Sequence, residues 1–447
     1  MNTPIVDFVN EYVNSEKTRL HMPGHKGTSL LGFEKYDITE IDGADVLYSA
    51  DGIIKESMEN ATALFGTGKT LYSTEGSSLS IRAMLYLAVL YSRKIGRKPV
   101  IFAGRNAHKV FVTSAVLLDF DIRWMYDEKS FGITECAVSP EYIDERLSEA
   151  YEKPVAVYIT SPDYLGNIAD IKEISRVCKK HGVLLLVDNA HGAYLNFLPE
   201  NKHPIYLGAD ICCDSAHKTL PALTGAGYLH ISKEAPSIIL DNAEKAMMLF
   251  ASTSPSYLIL QSLDATNKYL SGIYRQKLSD FCRKVSELKK KLSACGIANR
   301  DLEQLKITLT PKKFGYTGKE IYKFLSENNI VCEFYDPDYV VLMITPENTP
   351  ECLDKIYSTL AKLEIKKEIT DVPPATPTPD IAMTPREAVM SESEKLPLEK
   401  CIGRVFAGIN ASCPPAIPIV VCGEVITEKT AELMKYYGVS VCEVVKQ

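Results

Sequence analysis

Short apolar runs alternate with stretches of helical periodicity between about residues 70 and 235. The runs are VIFAG at 100–104, VAVYIT at 155–160, VLLLVD at 183–188, ICCDS at 211–215 and AGYLHI at 226–231. Continuous apolar runs that end at Gly, Asp, Asn or Ser predict strands of a mainly parallel sheet with helices on both faces. Such sheets bind ligands at the carboxyl ends of their strands, so the polar residues that follow these runs are the first candidates for a site.

The second half of the chain predicts a smaller domain. Residues 257–294 are rich in Leu, Lys, Glu and Arg at helical spacing, and they predict a long helical region that links two domains. We place a large domain with an N-terminal arm at 1–280 and a smaller α+β domain at 281–447. Pro residues crowd the stretch 372–385, which therefore predicts an extended connector.

Composition and charge favour a globular protein that acts on small molecules. Of 447 residues, 46% are hydrophobic and 24% are charged, and the net charge of −7 includes no basic block. A nucleic-acid or membrane-surface partner is therefore not expected. The N-terminus lacks a signal-peptide pattern, so we expect a cytoplasmic protein. The 12 cysteines show no CxxC pairing or Cys/His metal spacing, so we predict reduced thiols and no metal site.

A lysine follows the run ICCDS almost directly. Lys218 lies in DSAHKTLPALTGAGYL at 214–229, where the sheet would point it towards a ligand. Most lysines are solvated surface charges, but Ser, Ala, Thr, Leu and Pro surround this one. Partly apolar surroundings favour imine chemistry at an amine, so we interpret Lys218 as a functional residue.

An acid ends the most hydrophobic of the predicted strands. Asp188 follows VLLLV, and a buried carboxylate there needs a cation or a hydrogen-bond donor. A pyridinium nitrogen would supply that partner, and the acid would keep the ring protonated as an electron sink. The alternative interpretation is a helix N-cap that follows the strand.

Two further elements carry weaker signals. Gly76, Ser77 and Ser78 precede an amphipathic helical pattern, and amides and hydroxyls at a helix start bind phosphate, although the same residues also cap ordinary helices. His108 follows the strand run VIFAG. It could be a structural hydrogen bonder, or its imidazole could stack on a planar cofactor ring.

The combination resembles the ornithine/lysine/arginine decarboxylase family of fold-type I pyridoxal enzymes. A phosphate cradle, a His after a strand, an Asp after a strand and SxHK occur in that order. The resemblance runs nearly the whole length and is strongest to short bacterial members that lack an additional N-terminal domain. It is carried by LHMPGHKG at 20–27, DITEIDGADVL at 37–47, DNAHGAYL at 188–195, SAHKTLPALTG at 215–225, STSPSYL at 252–258 and PPAIPIVVCGE at 414–424.

The resemblance implies a fold-type I α/β architecture with a seven-stranded sheet, and pyridoxal 5′-phosphate as cofactor. Lys218 would form the Schiff base, Asp188 would pair with the pyridine nitrogen, and His108 and Ala190 would contact the two ring faces. The residues implied for the phosphate and its network are Gly76, Ser77, Ser78, Ser215 and His217.

The resemblance also implies shared sites and a substrate class. Thr253 or Ser254 would reach the phosphate of a neighbouring subunit, so a homodimer is the smallest expected active unit. Glu424 would meet the distal cation of the substrate. Lys218 or His217 would return a proton to the α-carbon after decarboxylation.

The expected reaction is decarboxylation of a basic amino acid to a polyamine-type amine, with arginine as first choice and lysine or ornithine next. Two alternatives remain open at this point. A pyridoxal aminotransferase or lyase would use the same Lys and Asp, with Arg404 or Arg386 to hold the α-carboxylate. A non-catalytic binding subunit would keep only the fold. Four departures from the family pattern bear on specificity rather than on reaction type: Asn189, Tyr194, Ala416 and Cys422.

Overall fold

The computed structural model describes residues 1–126, 138–378, 380–409, 412–413 and 417–447. Residues 414–416, which open the PPAIPIVVCGE segment and include Ala416, lie outside the described residues, as does Pro379 within the Pro-rich stretch. No helix of the described part is long and apolar enough to cross a membrane.

The described chain alternates helices and strands, with four short 3-10 helices. The α-helices are α1 Pro4–Val13, α2 Ile53–Phe65, α3 Gly76–Lys94, α4 Lys109–Leu118, α5 Pro140–Glu149, α6 Ile171–His181, α7 Ala216–Thr219, α8 Ser237–Asp241, α9 Ala243–Met248, α10 Tyr257–Leu270, α11 Tyr274–Ala294, α12 Gly318–Glu327, α13 Pro350–Leu360, α14 Pro385–Met390 and α15 Glu428–Tyr436. The 3-10 helices are Glu34–Tyr36, Ala193–Phe197, Pro311–Phe314 and Leu398–Lys400.

The strands form one large sheet and three small ones. They are β1 Lys69–Ser73, β2 Val100–Gly104, β3 Asp121–Met125, β4 Ala156–Thr160, β5 Leu184–Asp188, β6 Ile211–Asp214, β7 Gly227–Ile231, β8 Asn299–Arg300, β9 Lys306–Leu309, β10 Phe334–Tyr335, β11 Val340–Met343, β12 Ser393–Pro397, β13 Ser412–Cys413, β14 Ile417–Pro418 and β15 Val441–Val445. The small sheets have the orders β10-β11-β9-β8, β12-β15 and β13-β14.

The seven-stranded sheet has the order β1-β7-β6-β5-β4-β2-β3. Strands β2 and β3 pair in parallel, as do β5 and β6, whereas β7 runs antiparallel to both of its neighbours. The mainly parallel sheet expected from the apolar runs is therefore confirmed. All five predicted strands are present, as β2 and β4 to β7, with bounds that differ from the runs by at most one residue.

The chain divides into two compact units. The first contains residues 1–98, 155–157 and 171–278, and the second contains residues 99–154, 158–170 and 279–447. Helix α3 packs on β6 and β7 inside the first unit through an apolar face that includes Leu79, Ala83 and Leu87. This packing fixes the start of α3 close to the turn that follows β6. The division at residue 280 into a large and a small domain stays a prediction.

The helical region predicted at 257–294 is two helices, α10 and α11, with a break at 271–273. The described part of the Pro-rich stretch contains no helix before Pro385. Pro385 itself opens α14 at a position where the missing N–H costs nothing, and Thr384 with Glu387 forms a capping box. The Pro-rich stretch thus ends where the sequence pattern placed its end.

Candidate active site

Lys218 lies in the turn that follows β6. It belongs to the four-residue helix α7, and its Nζ atom is 3.0 Å from Nε2 of His191. His191 follows β5 by three residues and is buried at 3% exposure. The amine therefore has a buried imidazole as its neighbour, a group that can exchange protons with it.

Asp188 is the last residue of β5 and is 2% exposed. Its Oδ1 atom accepts a hydrogen bond from the backbone N–H of Ala190 at 3.2 Å, and the thiol of Cys213 points to the same oxygen at 3.6 Å. In the parallel pairing of β5 with β6, Asp188 lies opposite Cys213. Asp188 and the turn that carries Lys218 thus emerge at the same edge of the sheet.

The sequence suggested that Gly76, Ser77 and Ser78 precede a helix. In the structure they form the first turn of α3. The N–H groups of a first helical turn have no intrahelical acceptors, and Glu75 at the N-cap makes no side-chain capping bond. Ser77 and Ser78 therefore offer N–H donors without intrahelical acceptors at the positive end of a helix dipole, and such donors bind anions such as phosphate.

The start of α3 is tied to the turns around Lys218. Ser215 Oγ donates to Ser77 Oγ at 2.8 Å, and the N–H of Gly76, which has φ +67°, donates to the carbonyl of Gly225 at 2.7 Å. A Cβ atom on Gly227 would lie 3.1 Å from the carbonyl carbon of Gly76, so glycine permits the close approach of β7. Backbone contacts thus fix the start of α3 next to the turn that carries Lys218.

The remaining predicted cofactor residues of the first unit lie on its turns. His217 uses Nδ1–H to donate to the carbonyl of Ala226 at 2.9 Å, which fixes the orientation of its ring. Ala190 is buried directly after Asp188 and Asn189. Thr253 and Ser254 are exposed, and the N–H of Ser254 donates to Ser252 Oγ at 3.1 Å.

His108 and Glu424 belong to the second unit. His108 is the N-cap of α4, and its Nδ1 atom accepts from the N–H of Val110 at 3.2 Å. Glu424 is 4% exposed; its Oε2 atom accepts from the N–H of Val421 at 2.8 Å and lies 3.3 Å from Nη2 of Arg105. Burial raises the pKa of Glu424 above its usual value, although Arg105 opposes this shift.

Sequence reasoning missed three residues of these sites. His191, Cys213 and Arg105 contact Lys218, Asp188 and Glu424 respectively. Each stands within three residues of the end of a strand, and His191 also lies in the motif DNAHGAYL at 188–195, so these were the signals that could have found them. Only the pairing of strands and loops in space shows which partner each one meets.

Sequence profiles decide the family. The profile of the Orn/Lys/Arg decarboxylase major domain matches residues 3–311, and that of the C-terminal domain matches residues 367–444. The chain belongs to the Orn/Lys/Arg decarboxylase family. This Orn/Lys/Arg decarboxylase is accordingly a pyridoxal-phosphate enzyme that removes carbon dioxide from a basic amino acid.

Individual relatives match nearly the whole of this chain. The arginine decarboxylase of Bacillus subtilis is 28% identical, with 96% of this chain and 92% of the relative covered. The arginine decarboxylase of Halalkalibacterium halodurans is also 28% identical, with 95% and 91% covered. The constitutive lysine decarboxylase of Escherichia coli is 22% identical, and this chain covers 76% of it.

Solved structures show the same fold. The constitutive lysine decarboxylase of Escherichia coli matches with a TM-score of 0.79 at 19% identity, over 100% of this chain and 82% of that one. The serine palmitoyltransferase of Sphingomonas wittichii, at a TM-score of 0.56 and 14% identity, shares the fold more distantly. The fold-type I architecture expected from the sequence is confirmed.

The residues of this Orn/Lys/Arg decarboxylase fit pyridoxal phosphate. Lys218 offers a half-buried amine, Asp188 offers a buried carboxylate at a strand end, and Ser77 and Ser78 offer N–H groups without intrahelical acceptors for a phosphate. An amine, a carboxylate and an anion-binding helix start are the three groups that this cofactor needs.

His191→Phe tests the pairing between His191 and Lys218. Phenylalanine keeps a planar ring but removes the nitrogen that lies 3.0 Å from Lys218 Nζ, so proton exchange with the amine is lost. We expect kcat to fall by about a hundredfold or more. The variant should still bind pyridoxal phosphate, as measured by visible absorbance.

His181→Gln is the matched control, since His181 ends α6 in the same unit and has no place in the site. It should leave kcat at the wild-type value. A His191→Phe enzyme with kcat within about twofold of wild type would contradict the assignment.

Proposed function

We propose that the chain decarboxylates L-arginine to agmatine and carbon dioxide, and so supplies a precursor for polyamine synthesis in the cytoplasm. The observation that carries this choice is the near-complete match to proteins named arginine decarboxylase at 28% identity, against 22% and 20% for the proteins named lysine decarboxylase. Lysine and ornithine are the next candidates.

In this proposal, the cofactor residues contact different parts of pyridoxal phosphate. Lys218 holds pyridoxal phosphate through its amine, and Asp188 pairs with the ring nitrogen. The first turn of α3, with Ser215 and His217 beside it, binds the phosphate group. Ala190 contacts one ring face and His108 the other. The positions of Lys218, Asp188 and α3 around the strand ends support these roles.

Pyridoxal phosphate supplies the electron sink that takes up the electron pair left when the α-carboxylate departs as carbon dioxide. The protein must then deliver one proton to the α-carbon. Lys218 Nζ is the proposed donor, and His191 Nε2 at 3.0 Å restores the proton to the amine. His217 is the weaker candidate, because its Nδ1–H is engaged by Ala226.

Glu424 is the proposed partner of the distal cation of the substrate. Its Oε2 atom is occupied by Arg105 and Val421, whereas Oε1 is buried with no hydrogen-bond partner in the described part of the chain. A cavity of about 270 Å³ is lined by Glu424 together with Trp124 and Met383. A guanidinium group could use the remaining oxygen as an acceptor.

The aminotransferase alternative loses its support in the described structure. Arg404 donates to Glu394 at 2.8 Å and to the carbonyl of Val445 at 2.7 Å. Arg386 donates to the carbonyls of Val116 and Leu117. Both arginines that were candidates for holding an α-carboxylate are therefore engaged by the protein itself.

The substrate test measures carbon dioxide release and amine products from arginine, lysine, ornithine and citrulline with the cofactor-loaded enzyme. Arginine should give agmatine, and citrulline, which has the same shape without the positive charge, should react far more slowly. In Glu424→Gln the preference for arginine over citrulline in kcat/KM should fall by about tenfold or more. Asp380→Asn, an exposed carboxylate of the same unit, should keep the wild-type ratio.

Two results would contradict these proposals separately. Release from lysine or ornithine but not from arginine would reject the substrate. A Glu424→Gln enzyme that discriminates arginine from citrulline as wild type does would reject the role of Glu424 and leave the substrate assignment standing.

We also propose a homodimer with shared sites. The N-terminal segment 20–33 exposes large apolar side chains that a second copy would cover: Leu20, Met22, Leu30, Leu31 and Phe33. In this dimer, Thr253 or Ser254, both exposed in one chain, reaches the phosphate group held by the other chain. Exposed apolar clusters of this kind favour association.

Mixing two inactive variants tests the shared site. Lys218→Ala lacks the amine, and the double variant Thr253→Val, Ser254→Ala lacks the hydroxyls. After co-refolding in equal amounts, half of the dimers are mixed and each mixed dimer has one intact site, so about a quarter of wild-type activity should return. If no activity returns although mixed dimers are recovered by two affinity tags, the hydroxyls act within their own chain.

A further inference from the structure

Two histidines and an aspartate converge inside the first unit, outside the groups assigned to the cofactor. The Nε2 atoms of His203 and His230 lie 3.1 Å and 3.2 Å from the same oxygen, Oδ2 of Asp214. All three side chains are fully buried, and their three ligand atoms lie within 4.8 Å of one another. We call these residues the His-Asp-His cluster.

The sheet creates this cluster. Asp214 ends β6, and His230 lies on the antiparallel neighbour β7, where it pairs with Cys212. Cys212 and Asp214 are two positions apart on one strand, so their side chains share a face of the sheet with His230. His203 comes from the segment between the 3-10 helix Ala193–Phe197 and β6. Three separate parts of the chain therefore meet at one carboxylate oxygen.

The spacing within the cluster is compatible with that of metal ligands. Metal–ligand bonds of about 2.0–2.1 Å place neighbouring ligand atoms of a tetrahedral zinc site about 3.3 Å apart. Charge-assisted hydrogen bonds to a carboxylate are shorter, at about 2.7–2.9 Å. The distances of 3.1 Å and 3.2 Å to one shared oxygen lie between these two values and are compatible with ligand atoms of one ion.

Outer hydrogen bonds orient two of the ligands. The Nδ1 atom of His230 lies 2.9 Å from Thr70 Oγ1, so its Nε2 atom is directed at the cluster. The amide of Asn189 donates to Asp214 Oδ1 at 2.7 Å and leaves Oδ2 for the two imidazoles. The ring of Phe65 covers His230 at 4.5 Å and His203 at 5.6 Å. Oriented ligands under an apolar cover are typical of bound metal ions.

The donor set selects the metal class. Two imidazoles and one carboxylate form a ligand set that zinc uses in proteins. The thiol of Cys212, with Sγ 3.9 Å from His203 Nε2, adds a soft donor beside them. Imidazole with a neighbouring thiol favours Zn²⁺ or Co²⁺ over Mg²⁺ or Ca²⁺.

We propose that His203, Asp214 and His230 bind a divalent transition-metal ion, with Zn²⁺ as the expected occupant. This structural ion would link β6, β7 and the segment that carries His203. The cysteine and histidine spacings of the sequence gave no indication of such a site, because its ligands come from three separate parts of the fold. The proposal is independent of the substrate, since the cluster binds no group of the reaction.

The test is metal analysis of the holoenzyme produced in zinc-supplemented medium and purified without a metal-affinity column. After dialysis against EDTA, about one zinc ion per chain should remain, because the ligands are buried, and it should be released to a chromogenic chelator only when the protein is unfolded. Less than about a tenth of an equivalent would overturn the proposal.

His203→Gln is the informative variant, because His203 lies outside the strands of the sheet. It should lose the zinc and lower the unfolding temperature, while His181→Gln keeps both at wild-type values. Retention of zinc in folded His203→Gln would overturn the assignment. If this variant fails to fold, wild-type protein refolded with Co²⁺ in place of Zn²⁺ decides: visible d–d absorption is expected, and a colourless protein would overturn the proposal.

Discussion

The parallel pairing of β5 with β6 is the constraint on which the site depends. It sets Asp188 opposite Cys213, so the carboxylate at the end of one strand and the lysine turn after the next strand emerge at one edge of the sheet. A shift of one residue would turn Asp188 to the other face, away from the turn that carries Lys218. The proposed site thus depends on backbone register as much as on the lysine itself.

Much of the fold followed from local pattern. Continuous apolar runs predicted β2 and β4 to β7 within one residue, because strands covered on both faces need such runs. The edge strand β3 alternates exposed and half-buried positions before a buried last residue, and this mixed pattern escaped a prediction that looked for continuous apolar runs. The start of α3 was misplaced by one turn, since Gly and Ser are as common inside a first turn as before it.

The candidate site could be predicted only in part, because local sequence patterns do not show which distant residues come into contact. Lys218 and Asp188 follow strands and occur in motifs, whereas His191 and Arg105 gain their meaning from a contact with a residue far along the chain. The His-Asp-His cluster is an extreme case, because the sheet pairing brings together residues that no spacing rule connects. The sequence can therefore indicate that a polar residue is buried at a strand end. Only the three-dimensional structure shows which residue is its partner.

Lys218 is the proposed carrier of the cofactor. Borohydride reduction of the loaded enzyme fixes a cofactor that is bound as an imine, and peptide mass analysis then identifies the modified lysine. The account predicts one pyridoxyl group, on the peptide that contains Lys218, and none on that peptide in Lys218→Arg. Modification of a different lysine in the wild-type enzyme, with Lys218 unmodified, would contradict it.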